Sequence, residues 1–217
     1  MISIVAVSGY KNSGKTTLCK KLLAELQKMD IKTGYIKRTA EEAILKTNKT
    51  TDTGSVTDMG IGTLLWGNDG LRYEAPADEN TTPQSIAAKY FPDAELLILE
   101  GGKNINLPKI WVRSNGEDIP DYPGIFLIYD RYADITDGNT FSEGHEADLA
   151  KKLSELVRGK AYRSSKVYIG DRPLPMKDFV SDFIRGGILG MIESLKGGSD
   201  PEADVRIYID GNVKNKK

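Results

Sequence analysis

The sequence predicts an α/β fold in which a mostly parallel sheet is covered by helices on both faces, and three observations carry that prediction. Ile4-Val5-Ala6-Val7 is a short β-branched run that feeds a glycine-rich turn and then a helical pattern. Leu96-Leu97-Ile98-Leu99 is a continuous apolar run, as a strand buried on both faces requires. Amphipathic segments alternate with such runs along the chain, which is the pattern of a parallel sheet with ligands at the carboxyl ends of its strands.

Taken in order, the first strand ends at Gly9-Tyr10-Lys11-Asn12-Ser13-Gly14-Lys15-Thr16, a complete G-x-x-x-x-G-K-[ST] phosphate loop. Thr17 to Lys28 then sets Leu18, Leu22, Leu23 and Leu26 at helical spacing, so the loop opens a helix whose N-terminus carries roughly half a positive charge. Strand, loop and helix follow in the order of a P-loop NTPase-like fold. Thr33 to Lys37 reads as a second strand, and the threonine-rich stretch from Thr39 to Asp58 as a loop. Thr63 to Trp66 and Leu71 to Tyr73 flank Gly67-Asn68-Asp69-Gly70, the turn chemistry of a hairpin. Pro83 starts a short helix through Tyr90. Leu96 to Leu99 is the buried strand, ending at Glu100-Gly101-Gly102, and Pro108 to Val112 and Gly124 to Tyr129 supply two further strands. His145 to Val157 is amphipathic, with Leu149, Leu153, Leu156 and Val157 on one side.

The composition changes near Gly159, which divides the chain into a nucleotide-binding domain over 1–159 and a small extension over 166–217. The extension is read as a strand at Val167 to Ile169, a helix from Met176 to Lys196 and a strand at Val205 to Ile209. About fifty residues build little core alone, so it is expected to pack on the main domain or on another subunit. Gly186, Gly187 and Gly190 within the helix predict a close approach by another backbone.

The 217 residues carry 30 basic and 31 acidic side chains, a balance that gives no global field toward nucleic acid or an anionic membrane. Cys19 is the sole cysteine, which excludes an internal disulfide and a thiolate metal cluster, and it is expected as a small core residue in a reducing compartment. His145 is the sole histidine, so a His-based metal site within one chain is excluded, and a surface place near a helix start is expected. No apolar stretch reaches the twenty or so residues needed to span a bilayer, and the opening Met1 to Val7 reads as a first strand rather than a signal peptide. A cytoplasmic protein is expected.

The chemistry concentrates at the strand ends. Gly9, Asn12, Ser13, Gly14 and Thr17 belong to a backbone cradle for phosphate, Lys15 reaches the β- and γ-oxygens, and Thr16 offers its hydroxyl to Mg²⁺. Lys11 either adds a second charge there or points to solvent. A P-loop enzyme needs a second carboxylate at the end of a buried strand, and Glu100 fits that place. Its competing reading is a strand-end acid bonded to neighbouring backbone. Asp52 stands either as a switch-type acid near the metal or as a turn former. Asn48-Lys49-Thr50-Thr51 lacks the aspartate of a guanine-reading N-K-x-D element, and Asp130 is a base-reading acid or a strand terminator.

Together these residues resemble the MobB family, the small P-loop protein B of molybdopterin-guanine dinucleotide biosynthesis. The resemblance lies in Gly9 to Leu18, Tyr35-Ile36-Lys37, Asp52-Thr53-Gly54-Ser55, Leu97 to Lys103 and Pro108-Lys109-Ile110, over about the first 115 residues. It implies a homodimeric GTP-binding accessory protein with weak GTPase activity, which assists the molybdopterin guanylyltransferase, a MobA-like enzyme that attaches GMP to molybdopterin. It also implies Lys15 and Thr16 on phosphate and Mg²⁺, with Asp52 and Glu100 near the metal and Lys103 in the motif that follows. Departures are Arg38 where the family usually has His, Thr57 where Arg is common, and Ile61-Gly62-Thr63 in place of Ala-Gly-Ala. The alternative is a P-loop kinase or ligase acting with ATP on a small metabolite held by Lys37, Arg38 or Lys103. A metallochaperone would need clustered His or Cys that the chain lacks.

Overall fold

The computed structural model describes residues 2–39, 51–76, 81–114, 117–133, 137–158, 165–170, 172–195 and 205–209. In chain order its elements are β1 (Ser3–Ser8), α1 (Lys15–Lys28), β2 (Thr33–Lys37), α2 (Asp52–Asp58), β3 (Thr63–Gly67), β4 (Gly70–Glu74), α3 (Pro83–Tyr90), β5 (Leu96–Glu100), β6 (Lys109–Arg113), β7 (Ile125–Asp130), β8 (Thr140–Phe141), α4 (Glu146–Arg158), β9 (Tyr168–Ile169), β10 (Arg172–Pro173) and α5 (Asp178–Glu193). Two compact units result: residues 1–162 with 167–175, and residues 163–166 with 176–217.

The first unit is built on a six-stranded sheet in the order β2-β5-β1-β6-β7-β8. Every pairing in it is parallel. Strand side chains alternate between faces, so β1 feeds two cores at once. Val5 and Val7 join Leu18, Cys19, Leu22 and Leu26 of α1 and Leu149 and Leu153 of α4 on one face. Ile4 and Ala6 join Ala87, Leu97, Leu99 and Leu107 on the other. Burying each large aliphatic side chain contributes about 1.5–3 kcal/mol. Cys19 lies inside the first core, and burial pushes its thiol up to about 12, so it is a packing residue rather than a nucleophile.

A buried ionic staple ties α4 to α1 and β7. Glu146, at the first turn of α4, accepts from Lys21 Nζ at 2.7 Å, from the Tyr129 hydroxyl at 2.7 Å and from the Gly144 N–H at 3.0 Å. Burial alone would raise its pKa; the bonds from Lys21 and Tyr129 overcome that and bring it down to about 2.

Three expectations are corrected. Residues 52–58 of the expected loop form α2, because Thr51 in extended conformation accepts the Gly54 N–H at 3.2 Å and Asp52 lies in the first turn. Threonine and aspartate there are capping chemistry rather than loop composition. Residues 40–50, with Asn48-Lys49-Thr50, lie outside the described residues. Val205 to Ile209 pairs in no ladder among the described residues; alternation of apolar residues makes a strand only where a ladder partner exists. The C-terminal helix is shorter than expected at both ends. A methyl added at Gly186, Gly187 or Gly190 meets open space among the described residues of this chain. In the second unit, Ser181 of α5 is bonded at both its hydroxyl and its carbonyl to Ser165, with distances of 2.8–3.1 Å. On α5, Phe179 is 78% exposed, while Ile184, Ile188 and Ile192 are half-buried.

Glu146 has a folded pKa below its ordinary value of 4.5. Its stabilisation is therefore complete above pH 4.5 and is lost as pH falls toward 2. The expected contribution at neutral pH is on the order of 3 kcal/mol. Glu146→Gln is expected to remove most of it and to flatten the pH dependence of stability between pH 5 and pH 2; denaturant melts across that range check this.

Candidate functional site

The phosphate loop lies at the carboxyl end of β1, between β5 and β6, where the chain's connections leave in opposite directions. That is the switch point at which an open parallel sheet binds its ligand. Two left-handed residues, Asn12 with φ 64° and Gly14 with φ 94°, turn the loop. Successive residues of such opposite hand aim backbone N–H groups into one concavity. Gly9 has no room for a side chain, since a Cβ there would sit 2.5 Å from the Val112 carbonyl and 2.6 Å from Ser13 Oγ. Gly14 gives α1 no side-chain cap, which leaves the helix N-terminus to anions. Lys15 folds back over the loop, donating to the Tyr10 carbonyl and, at 3.5 Å, to Ser13 Oγ. Burial lowers its pKa and the charge of Glu100 partly opposes that shift.

Glu100 is the centre of the site. The parallel register β2–β5–β1 sets Lys37 and Val7 directly beside it, and the residue is only 5% exposed. Its Oε1 accepts from Thr16 Oγ1 at 2.8 Å and lies 3.4 Å from Lys37 Nζ. Its Oε2 accepts from the Tyr35 hydroxyl at 2.5 Å. Burial works to raise the pKa, and the bonds from Tyr35 and Thr16 together with Lys37 hold it below the usual carboxylate range. The carboxylate is thus ionised at neutral pH. Thr16 and Glu100 bring a hydroxyl and a carboxylate together, the hard oxygen donors that Mg²⁺ takes.

Of the other predicted residues, Ser13 is buried, and Lys11, Asn12, Thr16 and Thr17 are exposed along the loop and first turn. Lys103 follows the Glu100-Gly101-Gly102 corner, its ammonium 5.6 Å from the Tyr10 ring and 5.7 Å from the Tyr122 ring. Tyr10 in turn meets Trp111 edge-on at 5.4 Å, so the phosphate loop and the Lys103 loop share one aromatic cluster. Asp52 opens α2 and lines a shallow cleft with Thr51, Thr53, Thr63, Leu65, Arg72 and Glu74. Among the described residues no three His, Cys, Asp or Glu side chains form a metal-holding group. Asp130 is engaged at the strand end: Oδ1 accepts from the Tyr132 N–H at 3.0 Å and Oδ2 pairs with Arg113 at 3.3 Å. That is the geometry of its strand-terminating reading.

Two features escaped the sequence reading. Tyr35 and Lys37 are partners of Glu100, and the signal was their spacing of two on a strand paired with the Glu100 strand. Lys109 is fully buried, and its ammonium donates to the carbonyls of Lys103 at 3.0 Å, Ile105 at 2.8 Å and Pro123. Burial lowers its pKa, but three carbonyls answer its three donors. It stitches the loop after β5 to the loop before β7.

The fold and this geometry define a P-loop nucleotide-binding protein of the α/β class. A sequence profile for molybdopterin guanine dinucleotide synthesis protein B (MobB) matches residues 4–122, and the chain belongs to that family. A Methanocaldococcus jannaschii protein provisionally named as a molybdopterin-guanine dinucleotide biosynthesis adapter is 26% identical over 95% of this chain and 97% of its own length. The Haemophilus influenzae molybdopterin-guanine dinucleotide biosynthesis adapter protein is 29% identical over 50% of this chain and 62% of its own. A crystal structure of molybdopterin-guanine biosynthesis protein B superposes with a TM-score of 0.57 at 20% identity, covering 71% of this chain and 99% of that one. Bacillus subtilis MobB gives 0.55 at 22% identity, over 73% and 100%. These superpositions speak for the fold.

Lys109→Met is expected to leave three buried carbonyls without a donor and to cost about 3 kcal/mol or more. A denaturant melt showing less than about 1 kcal/mol of loss would count against the staple.

Proposed function

We propose that the chain is a Mg·GTP-binding adapter of molybdopterin guanine dinucleotide synthesis. Its place in that synthesis follows from family membership, and guanine nucleotide binding from the same source. The observation that supports the nucleotide reading best is the 2.8 Å bond between Thr16 of the phosphate loop and Glu100 at the end of the adjacent strand. In this reading Gly9 to Thr17 hold the triphosphate, with Lys15 on its β- and γ-oxygens. Thr16 and Glu100 hold Mg²⁺, the ion neutralises phosphate charge, and Asp52 approaches it when nucleotide is bound. Lys11 and Lys103 add positive charge at the rim. Hydrolysis is slow, and the protein acts in the cytoplasm on a guanylyltransferase of the MobA type and its molybdopterin.

The same reading makes the protein a homodimer. The β3–β4 hairpin forms a sheet of its own, and it exposes Leu64, Leu65, Leu71, Tyr73 and Trp66, the last at 81%. A two-stranded hairpin is marginal in water without a packed face, and a second copy of this chain supplies that face.

Two measurements test these points. GTP with Mg²⁺ at about a hundred times its dissociation constant is expected to stabilise by about 2.7 kcal/mol. That raises the midpoint by about 5–10 °C in a chain of this size. Lys15→Ala is expected to abolish the rise. An ATP preference with transfer to a metabolite would overturn the adapter reading in favour of a kinase. Light scattering is expected to show wild type at twice the chain mass and Trp66→Asp/Leu71→Asp at the chain mass; an unchanged mass would remove the hairpin from the interface.

A further inference from the structure

A glutamate that serves a divalent ion has two oxygens to offer, and which of them is free decides the ions it suits. The terminal torsion of glutamate is broad and roughly two-fold, so an unrestrained carboxylate presents either oxygen or both. Glu100 is restrained. Its Oε2 is taken by the Tyr35 hydroxyl at 2.5 Å, and Oε1 is the oxygen that meets Thr16. Tyr35 comes from β2, whose register against β5 places Lys37 beside Glu100 and Tyr35 beside Ile98. Two residues apart on one strand, Tyr35 and Lys37 share a face and both reach the carboxylate.

The two partners differ in what they can enforce. Lys37 carries a flexible ammonium on a side chain that is mostly exposed, and it lies 3.4 Å from the same oxygen that Thr16 uses. An exposed pair of that kind fixes little. The Tyr35 ring turns on two torsions only, and its hydroxyl holds the opposite oxygen.

We propose that Tyr35 is a positioning residue that makes the Thr16–Glu100 pair selective for Mg²⁺ over Ca²⁺ by withholding the second carboxylate oxygen. The proposal rests on the Mg-nucleotide reading above. Mg²⁺ demands near-ideal octahedral geometry and takes carboxylates one oxygen at a time, whereas Ca²⁺ accepts six to eight oxygens and commonly chelates a carboxylate through both. With Oε2 turned to the phenol, the one-oxygen mode through Oε1 is favoured over two-oxygen chelation. Tyr35 lies on the edge strand of the sheet and is partly exposed, so loss of its hydroxyl leaves the core intact.

The test measures retention of a fluorescent guanine nucleotide by the full chain as Mg²⁺ or Ca²⁺ is titrated, with EDTA as the metal-free reference. Tyr35→Phe is expected to leave the metal-free affinity within about twofold of wild type and to weaken the Mg²⁺ midpoint about tenfold, as outer-shell partners of metal ligands do. The Ca²⁺ midpoint is expected to stay or improve, so the preference for Mg²⁺ narrows. On a Glu100→Gln background the same change is expected to be silent, because Tyr35 acts through Glu100. Lys37→Gln is expected to keep the wild-type ratio. A Tyr35→Phe protein with the wild-type Mg²⁺/Ca²⁺ ratio overturns the proposal alone, as does a Lys37→Gln protein that loses the ratio equally. Wild type whose nucleotide retention ignores both ions overturns it together with the Mg-nucleotide reading.

Discussion

A carboxylate buried at the end of a strand sealed on both faces is the constraint that organises this molecule. Taking an ionised group out of water is costly unless it is paired and hydrogen-bonded. Glu100 meets that demand with three side chains from two other elements: Thr16 from the start of α1, and Tyr35 and Lys37 from β2. The sheet order follows suit. Only with β5 between β1 and β2 do the loop helix and the β2 residues reach the same carboxylate. Slipping β2 by one residue would turn Tyr35 and Lys37 to the opposite face and leave the charge alone with Thr16.

Rigidity around the carboxylate comes from backbone rather than from further charge. The Gly101 N–H donates to the Val7 carbonyl at 2.9 Å, and Ser8 Oγ donates to the Gly101 carbonyl at 2.7 Å, so the corner after β5 is sewn to the end of β1. Gly101 has φ 99° and its Cβ position lies 2.8 Å from the Arg38 carbonyl, which reserves that place for glycine. Lys109 then fixes the loop that continues to Lys103. Glu146 makes an instructive contrast with Glu100: both are buried and both are held in the charged form, but Glu146 spends its oxygens on α1, β7 and its own helix start. It is a joint between helices and sheet, where Glu100 keeps one oxygen on the Thr16 hydroxyl of the phosphate loop.

Much of the fold was legible because its signals are local. The phosphate loop, the continuous apolar run of β5 and the hairpin turn at Gly67 to Gly70 each carry their geometry in a few adjacent residues. Glu100 was legible for the same reason, as an acid closing a buried run ahead of two glycines. Tyr35 was not, because its role depends on which strand lies beside which, and parallel neighbours are far apart in sequence. Lys109 was hidden by its charge: a lysine in a strand reads as solvent-facing until three carbonyls are seen around its ammonium. The segment at Asp52 to Asp58 was misread because threonine-rich composition suggests a loop, while one threonine in the capping position starts a helix. Val205 to Ile209 failed in the opposite sense, since alternation is only half of a strand and the ladder is the other half.

Polar and apolar demands are met in different ways in this chain. At the phosphate loop Lys15 is bonded to the Tyr10 carbonyl and to Ser13, and Thr16 to Glu100, all within the first unit. The hairpin side chains Leu64, Leu65, Trp66 and Leu71, and separately the α5 side chains Phe179, Phe183, Met191 and Leu195, are exposed. Scattered apolar residues on a surface need no explanation, but runs of large ones on single elements do. Each of these two elements carries a run of that kind. In the proposed reading, nucleotide chemistry is specified internally by register and hydrogen bonds, and association falls to surfaces whose free energy is gained only when water is removed from them. That division suits an adapter, whose bound nucleotide is fixed by its own fold and whose usefulness lies in what it touches.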